Sequence, residues 1–251
     1  MNAFRALLER DEVPLGTWVK LPTVETVELM FLAGFDFVVI DLEHSPMSLE
    51  TMSSLLAVAK ARGTAVLVRV PDHAPAWTQR ALDAGAAGVL VPHVDDLDQA
   101  VAVQRSARFE PRGIRGVGPT SRAGDWGLRP MSEYLAEGNE TVVVAQIESE
   151  RGVQSAEGML TAGAVDALFV GPADLSVAMG VAADSDTLRQ RIDTVLQASL
   201  AADVPCGIAI GADPAKAATL AADGFSFVMV SNDATILGSG AAQLVERYRG
   251  A

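Results

Sequence analysis

The stretch GFDFVVIDLEHSP (34–46) begins as a buried strand and ends in a cluster of ionisable groups. Residues 37–40 are continuously apolar, which is typical of a parallel strand that is covered on both faces. Asp41, Glu43 and His44 then follow within four positions. A buried strand tolerates such a cluster only where it leaves the core, so the stretch predicts a polar site at the carboxyl end of the strand.

Similar apolar runs recur along the chain, separated by Ala-rich stretches with helical periodicity. The strand-like runs cover residues 15–20, 35–41, 64–70, 87–92, 141–148, 165–171, 204–210 and 225–231. Eight parallel strands with helical crossovers in 251 residues fit a (β/α)8 TIM barrel. A doubly wound open sheet is the alternative, but no Gly-rich phosphate motif follows the first strand. We expect an α/β fold in which residues 1–251 form one barrel domain.

The composition argues against nucleic-acid and membrane partners. The formal net charge of −13 repels phosphate backbones. No secretory signal begins the sequence, and no apolar segment reaches the ~18 residues that cross a bilayer. We therefore expect a cytoplasmic protein. Aromatic residues make up only 5% of the chain, so we expect a core built mainly from Ala, Val, Leu and Ile.

Two segments depart from the strand and helix rhythm. Residues 109–130 are rich in Gly, Pro and Arg, and a loop of this length is usually functional or disordered. Residues 232–250 form a predicted helix that packs on the barrel or on a neighbour. We expect the neighbouring subunit.

Polar residues lie at the carboxyl ends of the first six predicted strands, the end of a parallel barrel that carries its chemistry. The seventh and eighth strands lack such groups at their ends. If these residues were structural, each buried charge would need its own partner, whereas one shared site explains them all. In strand order they are Trp18 and Lys20; Asp41, Glu43 and His44; Arg69; His93; Gln146 and Glu148; and Asp174.

Glu148 and Asp174 lie one β/α unit apart, so adjacent strands would place them side by side. Two close carboxylates repel each other unless they share a proton or a cation lies between them. Two carboxylates with open positions for water and a bidentate substrate suit Mg²⁺ or Mn²⁺. The alternative is that both acids cap helices, Glu148 the one that begins at Ser149 and Asp174 the one through Leu175.

The segment GPADLS (171–176) has a second possible use. The amides after Pro172 begin a helix, and such an end can hold a carboxylate. Arg69 can hold the other end of the same substrate or its carbonyl oxygen. Arg69 is equally well explained as a structural ion-pair partner.

The sequence resembles the HpcH/HpaI aldolase family, metal-dependent aldolases that use pyruvate and include 4-hydroxy-2-oxoheptanedioate and 2-dehydro-3-deoxyglucarate aldolases. The resemblance implies a class II aldolase that reversibly cleaves a 4-hydroxy-2-oxo acid to pyruvate, or a related 2-oxo acid, and an aldehyde. It also implies a homo-oligomer, either a trimer or a hexamer. The matching blocks, in family order within residues 16–176, are GFDFVVIDLEHSP, LVRVP, ALDAGAAGVLVPHV, GIRGVG, VAQIES and VDALFVGPADLS.

The resemblance also implies roles for the site residues. Glu148 and Asp174 resemble the ligands of the metal, usually Mg²⁺ or Mn²⁺ and otherwise Co²⁺ or Zn²⁺, and Arg69 resembles the residue that stabilises the enolate. This chain departs from the family at His93, where relatives often have Met, and at Lys20, which replaces a small residue. The other implied roles are acid/base catalysis for His44 with Asp83 as its partner, pocket contacts for Trp18 and Gln146, carboxylate binding by the backbone of Ala173 and Asp174, and supporting positions for Asp41, Glu43 and His93.

Asp83 ends the predicted helix 75–84, just before the fourth strand. A crossover helix returns to the opposite end of the barrel, so Asp83 should lie far from His44 of its own chain. If the two residues pair, the histidine belongs to another subunit. The alternative is that Asp83 is an ordinary exposed helix residue.

Other functions remain open at this point. A Schiff-base aldolase would need a lysine at a strand end, and only Lys20 qualifies. Oxaloacetate decarboxylation or cleavage of a β-hydroxyacyl-CoA would use the same metal and enolate chemistry. A non-catalytic sensor or scaffold would not need the acidity of Glu148 and Asp174.

Overall fold

A computed structural model describes residues 2–250, so the two end residues of the predicted domain, Met1 and Ala251, lie outside the described part. The strands are β1 (Leu15–Val19), β2 (Phe37–Asp41), β3 (Ala65–Arg69), β4 (Gly88–Val91), β5 (Val142–Ile147), β6 (Ala167–Val170), β7 (Cys206–Ile210) and β8 (Phe227–Asn232). The helices are α1 (Ala3–Leu8), α2 (Val24–Leu32), α3 (Leu49–Arg62), α4 (Pro75–Asp83), α5 (Leu97–Ala107), α6 (Met131–Gly138), α7 (Glu150–Thr161), α8 (Pro172–Met179), α9 (Asp186–Ala202), α10 (Pro214–Ala222) and α11 (Asp233–Gly250).

The eight strands form a closed barrel in chain order, β1 to β8, and every neighbouring pair is parallel. The predicted TIM barrel is therefore confirmed, and the open-sheet alternative is wrong. The register between β2 and β3 pairs Asp41 with Arg69. These two ionisable residues consequently leave the core side by side at the carboxyl end of the barrel, the mouth.

Phenylalanine rings fill the other end of the barrel, the base. Phe4 of α1 inserts there, and its ring lies edge-on to the rings of Phe37 and Phe227, with centroid distances of 5.1 and 5.4 Å. Gly16 and Gly207 make room for these rings, since an added Cβ would lie 2.3 Å from Phe37 and 2.1 Å from Phe227. The expected core of Ala, Val, Leu and Ile holds for the layer between strands and helices, whereas the base is aromatic.

The loop after α5 is ordered. It contains a 3₁₀ turn (Arg122–Gly127) in which Asp125 and Trp126 have left-handed backbones, with φ of 49° and 60°. Asp125 accepts hydrogen bonds from Lys60 (2.6 Å) and Arg129 (2.9 and 2.8 Å), which hold this turn against α3. None of the helices within residues 2–250 combines the length and apolar character that crossing a membrane requires.

Helix α11 extends away from the barrel wall and is almost entirely exposed. Asp233 is its one buried residue among those described, while Leu237, Leu244 and Tyr248 are 65%, 69% and 85% exposed. An apolar groove of about 480 Å³ lies beside the start of this helix. It is lined mainly by Val13, Pro14, Leu15, Phe35, Ala217, Ala218, Ala221, Val228, Val230 and Ile236.

Candidate active site

Asp41 and Arg69 form a buried ion pair at the mouth. The guanidinium donates from Nε to Oδ1 of Asp41 at 2.9 Å and from NH2 to Oδ2 at 2.6 Å. Lys20 Nζ donates to the same Oδ2 at 2.6 Å, and the Trp18 ring lies 4.2 Å from the guanidinium carbon. Arg69 is thus fixed by a carboxylate and an aromatic face, while the Lys20 ammonium is held by Asp41.

Asp41 also shapes the loop that follows β2. Its Oδ1 accepts the backbone N–H groups of Glu43 (3.0 Å) and His44 (3.2 Å). Burial would raise the pKa of Asp41, but the hydrogen bonds and charge of Arg69, together with Lys20, lower it to about 2. The group is therefore an anion at neutral pH that orients Arg69.

Glu148 is the centre of a second cluster. It is 4% exposed, and Gln146 Nε2 donates to its Oε2 at 2.5 Å. The backbone N–H of His93 donates to Oε1 at 2.7 Å, and Nδ1 of the His93 ring lies 2.8 Å from the same oxygen. Burial raises the pKa of Glu148; the His93 hydrogen bond and charge oppose this, and the negative charges of Asp174 and Glu43 add to it.

The helix-cap interpretation of the two acids is wrong. Ser149 caps α7, because its Oγ accepts from Gly152 N at 3.0 Å. Gly171 is the N-cap of α8, which has no side-chain cap, and Asp174 lies exposed in the first turn of that helix. Among the described residues the Asp174 carboxylate makes no side-chain hydrogen bond, so it is free to bind a ligand.

The residues at this point fit a hard divalent cation. Gly171 keeps space beside Glu148, since an added Cβ would lie 3.3 Å from Oε2. Within residues 2–250 no group of three or more His, Cys, Asp or Glu side chains is arranged to hold a metal. Glu148 and Asp174 would therefore supply two oxygen ligands, and the other positions would go to water and substrate.

Glu43 lies between the two clusters. Its Oε2 is 3.0 Å from Arg69 NH1 but is not aligned for a hydrogen bond, and its Oε1 is 3.5 Å from Nε2 of His93. His44 sits at the rim with its side chain 59% exposed, and its Nε2 is 3.8 Å from Glu43 Oε2. The fold thus gathers Trp18, Lys20, Asp41, Glu43, His44, Arg69, His93, Gln146 and Glu148 at the mouth, with Ala173 and Asp174 beside them at the start of α8.

Asp83 is not part of this group within one chain. It ends α4, as expected, and its Oδ1 accepts from Arg115 NH2 at 2.8 Å. Arg115 is buried and stacks on Phe109, with 4.7 Å from the guanidinium carbon to the ring centroid. Any contact between Asp83 and a His44 therefore requires a second copy of the chain.

The prediction that β8 ends without polar groups is wrong. Asp233 is buried there and accepts the backbone N–H groups of Lys20 (3.0 Å) and Leu21 (2.9 Å). It joins the end of β1 to the start of α11. The signal in the sequence was the pair Asn232–Asp233 directly after an apolar run, the same pattern that marked the other strand ends.

Comparisons with known proteins identify related sequences and related structures. The sequence profile of the HpcH/HpaI aldolase/citrate lyase family matches residues 15–238. The 5-keto-4-deoxy-D-glucarate aldolase of Salmonella arizonae is 34% identical over 99% of this chain and 97% of that protein. A family protein from Burkholderia cenocepacia superposes with a TM-score of 0.92 at 32% identity, covering 99% of this chain and 100% of that one.

One further solved structure shows the same fold at greater distance. The citrate lyase β subunit of Mycobacterium tuberculosis, in complex with oxaloacetate and magnesium, is 19% identical with a TM-score of 0.58. The superposition covers 92% of this chain and 95% of that one.

Proposed function

The chain belongs to the HpcH/HpaI aldolase/citrate lyase family, and we propose that it reversibly cleaves a 4-hydroxy-2-oxo acid to pyruvate and an aldehyde with a divalent metal ion. Membership confirms the resemblance found in the sequence motifs. The 34% identical relative is named for 5-keto-4-deoxy-D-glucarate. Numbered from the carboxyl group next to its ketone, this compound is a 2-oxo acid with a hydroxyl at C4, so it is the first substrate to test.

The proposal is carried by Glu148 and Asp174, which follow adjacent strands and have no helix-capping role, and the charge of Asp174 acts to raise the pKa of Glu148. Their oxygen ligands suit Mg²⁺ or Mn²⁺ better than a soft metal. Such an ion, when bound, supplies Lewis-acid stabilisation of negative charge on the 2-oxo acid. The raised pKa of Glu148 supports this assignment, because the buried carboxylate gains from a nearby cation.

Arg69 supplies the fixed positive charge. In the cleavage direction the bond between C3 and C4 breaks, and its electron pair moves toward the keto oxygen. Asp41 and Trp18 hold the guanidinium in place before substrate binds, so little reorganisation is needed as that charge develops. Gln146 Oε1 and Glu43 Oε2 are buried without hydrogen-bond partners. Gln146 lies beside Glu148, and Glu43 lies beside Arg69.

His44 moves the proton in this proposal. Cleavage requires that the C4 hydroxyl lose its proton, and the exposed imidazole at the rim is the group suited to take it; C3 of the resulting enolate then takes up a proton to give pyruvate. Asp83 of a second copy would orient the ring, since Asp83 of the same chain ends α4 just before β4 begins, at the opposite end of the barrel from His44. The alternative through Lys20 is disfavoured because its ammonium is held by Asp41 at 2.6 Å.

The assembly proposed here uses α11. Leu237, Ala241, Leu244 and Tyr248 follow the 4-3-4 spacing of one helix face, and no described part of the chain covers them. The adjacent groove exposes apolar side chains of the barrel wall. Helix α11 of one copy laid over the groove of another would bury both surfaces.

Pyruvate release tests the function. Purified protein would be incubated with 5-keto-4-deoxy-D-glucarate and other 4-hydroxy-2-oxo acids, and pyruvate would be coupled to lactate dehydrogenase. We expect release that stops with EDTA and returns with Mg²⁺ or Mn²⁺. Glu148→Gln and Asp174→Asn should each lower the rate by at least about a thousandfold. Release that is unaffected by EDTA would contradict the proposal, and a borohydride-trapped adduct at Lys20 would establish the Schiff-base alternative.

Mixed oligomers test the shared site. His44→Ala and Asp83→Ala subunits should each be inactive, and co-assembly should restore part of the activity because some sites combine two intact residues. Light scattering should show an oligomer for the wild type and smaller species for Leu244→Glu. Normal assembly of the mixed subunits without any recovered activity would show that Asp83 does not serve a neighbouring His44.

A further inference from the structure

His93 has a backbone conformation that few residues with a side chain adopt. It follows Pro92 at the end of β4, and its φ is 54°, in the left-handed region. Non-glycine residues are uncommon there, and when they occur the surrounding structure holds them in place. The interactions that hold His93 therefore indicate its use.

Glu148 is the group that His93 contacts most closely, while Nε2 of the ring lies 3.5 Å from Glu43 Oε1. The backbone N–H and ring Nδ1 of His93 both lie on Oε1, at 2.7 and 2.8 Å, although the side chain is 63% exposed. Gln146 donates to Oε2 at 2.5 Å. Each carboxylate oxygen is thus fixed by a donor, and a carboxylate with about four lone-pair sites still has room for a cation.

The peptide unit that carries the His93 N–H is fixed from its other side. Its carbonyl oxygen belongs to Pro92 and lies 2.7 Å from Nε2 of His73. His73 is only partly exposed, and this contact anchors the loop after β3 to the end of β4. The N–H direction toward Glu148 is therefore set by both neighbours of the peptide.

We propose that His93 is a positioning residue for Glu148: its left-handed backbone directs the N–H and ring Nδ1 onto Oε1 and sets the carboxylate for the divalent cation. This inference rests on the proposed function, in which Glu148 is a metal ligand. Groups that orient a metal ligand in this way change affinity by about 10- to 100-fold when they are removed.

Calorimetric titration of Mn²⁺ into the full chain separates the two contacts. His93→Gly removes the ring and keeps a backbone that reaches positive φ freely, and His93→Asn also tolerates that region. His93→Val removes the ring and, being β-branched, resists it. We expect binding about tenfold weaker for Gly and Asn and about a hundredfold weaker for Val.

Thermal unfolding of each variant confirms that it is folded, and His93→Ala replaces Val if the latter is not. If His93→Val bound Mn²⁺ as tightly as His93→Gly, the proposed role of the left-handed backbone would be overturned. Wild-type affinity in Gly and Asn would overturn the role of the ring. Failure of the proposed function gives a different result: the wild type itself would bind no Mn²⁺, or would bind it equally well after Glu148→Gln.

Discussion

The two ends of the barrel each hold an acid between two cationic groups, but they complete their hydrogen bonding differently. At the base, Asp166 accepts from Arg5 NH2 (2.6 Å), from Arg108 NH2 (2.5 Å) and from the Val143 N–H (2.8 Å). Both carboxylate oxygens are satisfied within the chain. This network ties α1 and the end of α5 to strand β5 and leaves no acceptor of Asp166 open, although the donor Arg108 Nε is buried without a hydrogen-bond partner.

The mouth has the same kind of ion pair, Asp41 with Arg69 and Lys20, but its other acceptors are incomplete. Glu43 Oε2 and Gln146 Oε1 are buried without a hydrogen-bond partner. Buried acceptors are nearly always satisfied in folded proteins, and these two lie beside Arg69 and Glu148, so they are available to a ligand at the mouth. The base network therefore stabilises the fold, whereas the mouth also reserves groups for binding.

Replacing one arginine at each end tests this contrast. Arg69→Lys loses the two-point contact with Asp41 and displaces the fixed charge, so kcat/KM for pyruvate release should fall about 10²- to 10³-fold. Arg108→Lys should lower the melting temperature and leave kcat/KM of the folded protein unchanged. Equal losses of activity at both ends would contradict the division into a structural base and a functional mouth.

The barrel and much of the mouth can be predicted from the sequence, because parallel strands that are covered on both faces consist of unbroken apolar runs. Each polar residue that interrupts such a run, from Asp41 to Glu148, marks the strand end. This pattern lies within one short segment, so it can be recognised without knowing which residues the segment contacts in the fold. This is why residues that follow parallel strands can be predicted to share one end of the fold.

Features that depend on distant partners could not be predicted. Helix α1 has only six residues, and the contacts of Phe4 with Phe37 and Phe227 hold the helix at the base. Asp233 is important through the backbone N–H groups of Lys20 and Leu21, which directly follow β1 more than two hundred residues away. The left-handed backbone of His93 likewise has no signature in its own type, because contacts with Glu148 hold it.

The pH dependence of stability sharpens the comparison at the mouth. The folded pKa of Asp41, about 2, lies below its usual 3.8, so folding favours the anion. The stabilisation is present above about pH 4 and is lost as the pH falls through about 2. Asp41→Asn should be less stable than the wild type by about 2 kcal/mol at neutral pH. Thermal unfolding from pH 7 to pH 2 should show this difference shrinking below pH 4, and a constant difference would exclude Asp41 as the anchored charge.

Glycines give the smallest and most local test. At the base, the space beside Gly16 and Gly207 is filled by phenylalanine rings, whereas an added Cβ at Gly171 would meet Gln146 Nε2 at 3.1 Å and Glu148 Oε2 at 3.3 Å. The added methyl group of Gly171→Ala should therefore crowd the Glu148 carboxylate without disturbing the phenylalanine rings of the base, and Mn²⁺ affinity should fall about tenfold.

Gly158 provides the matched control for this substitution. It lies inside α7 with nothing within 4 Å of an added Cβ, so Gly158→Ala should leave Mn²⁺ affinity unchanged and stabilise the fold by about 0.5–1 kcal/mol. If Gly171→Ala also left the affinity unchanged, the space beside Glu148 would be ordinary packing room. A selective loss at Gly171 would show that the mouth keeps its glycine for a ligand, whereas the base uses glycine to admit its own aromatic side chains.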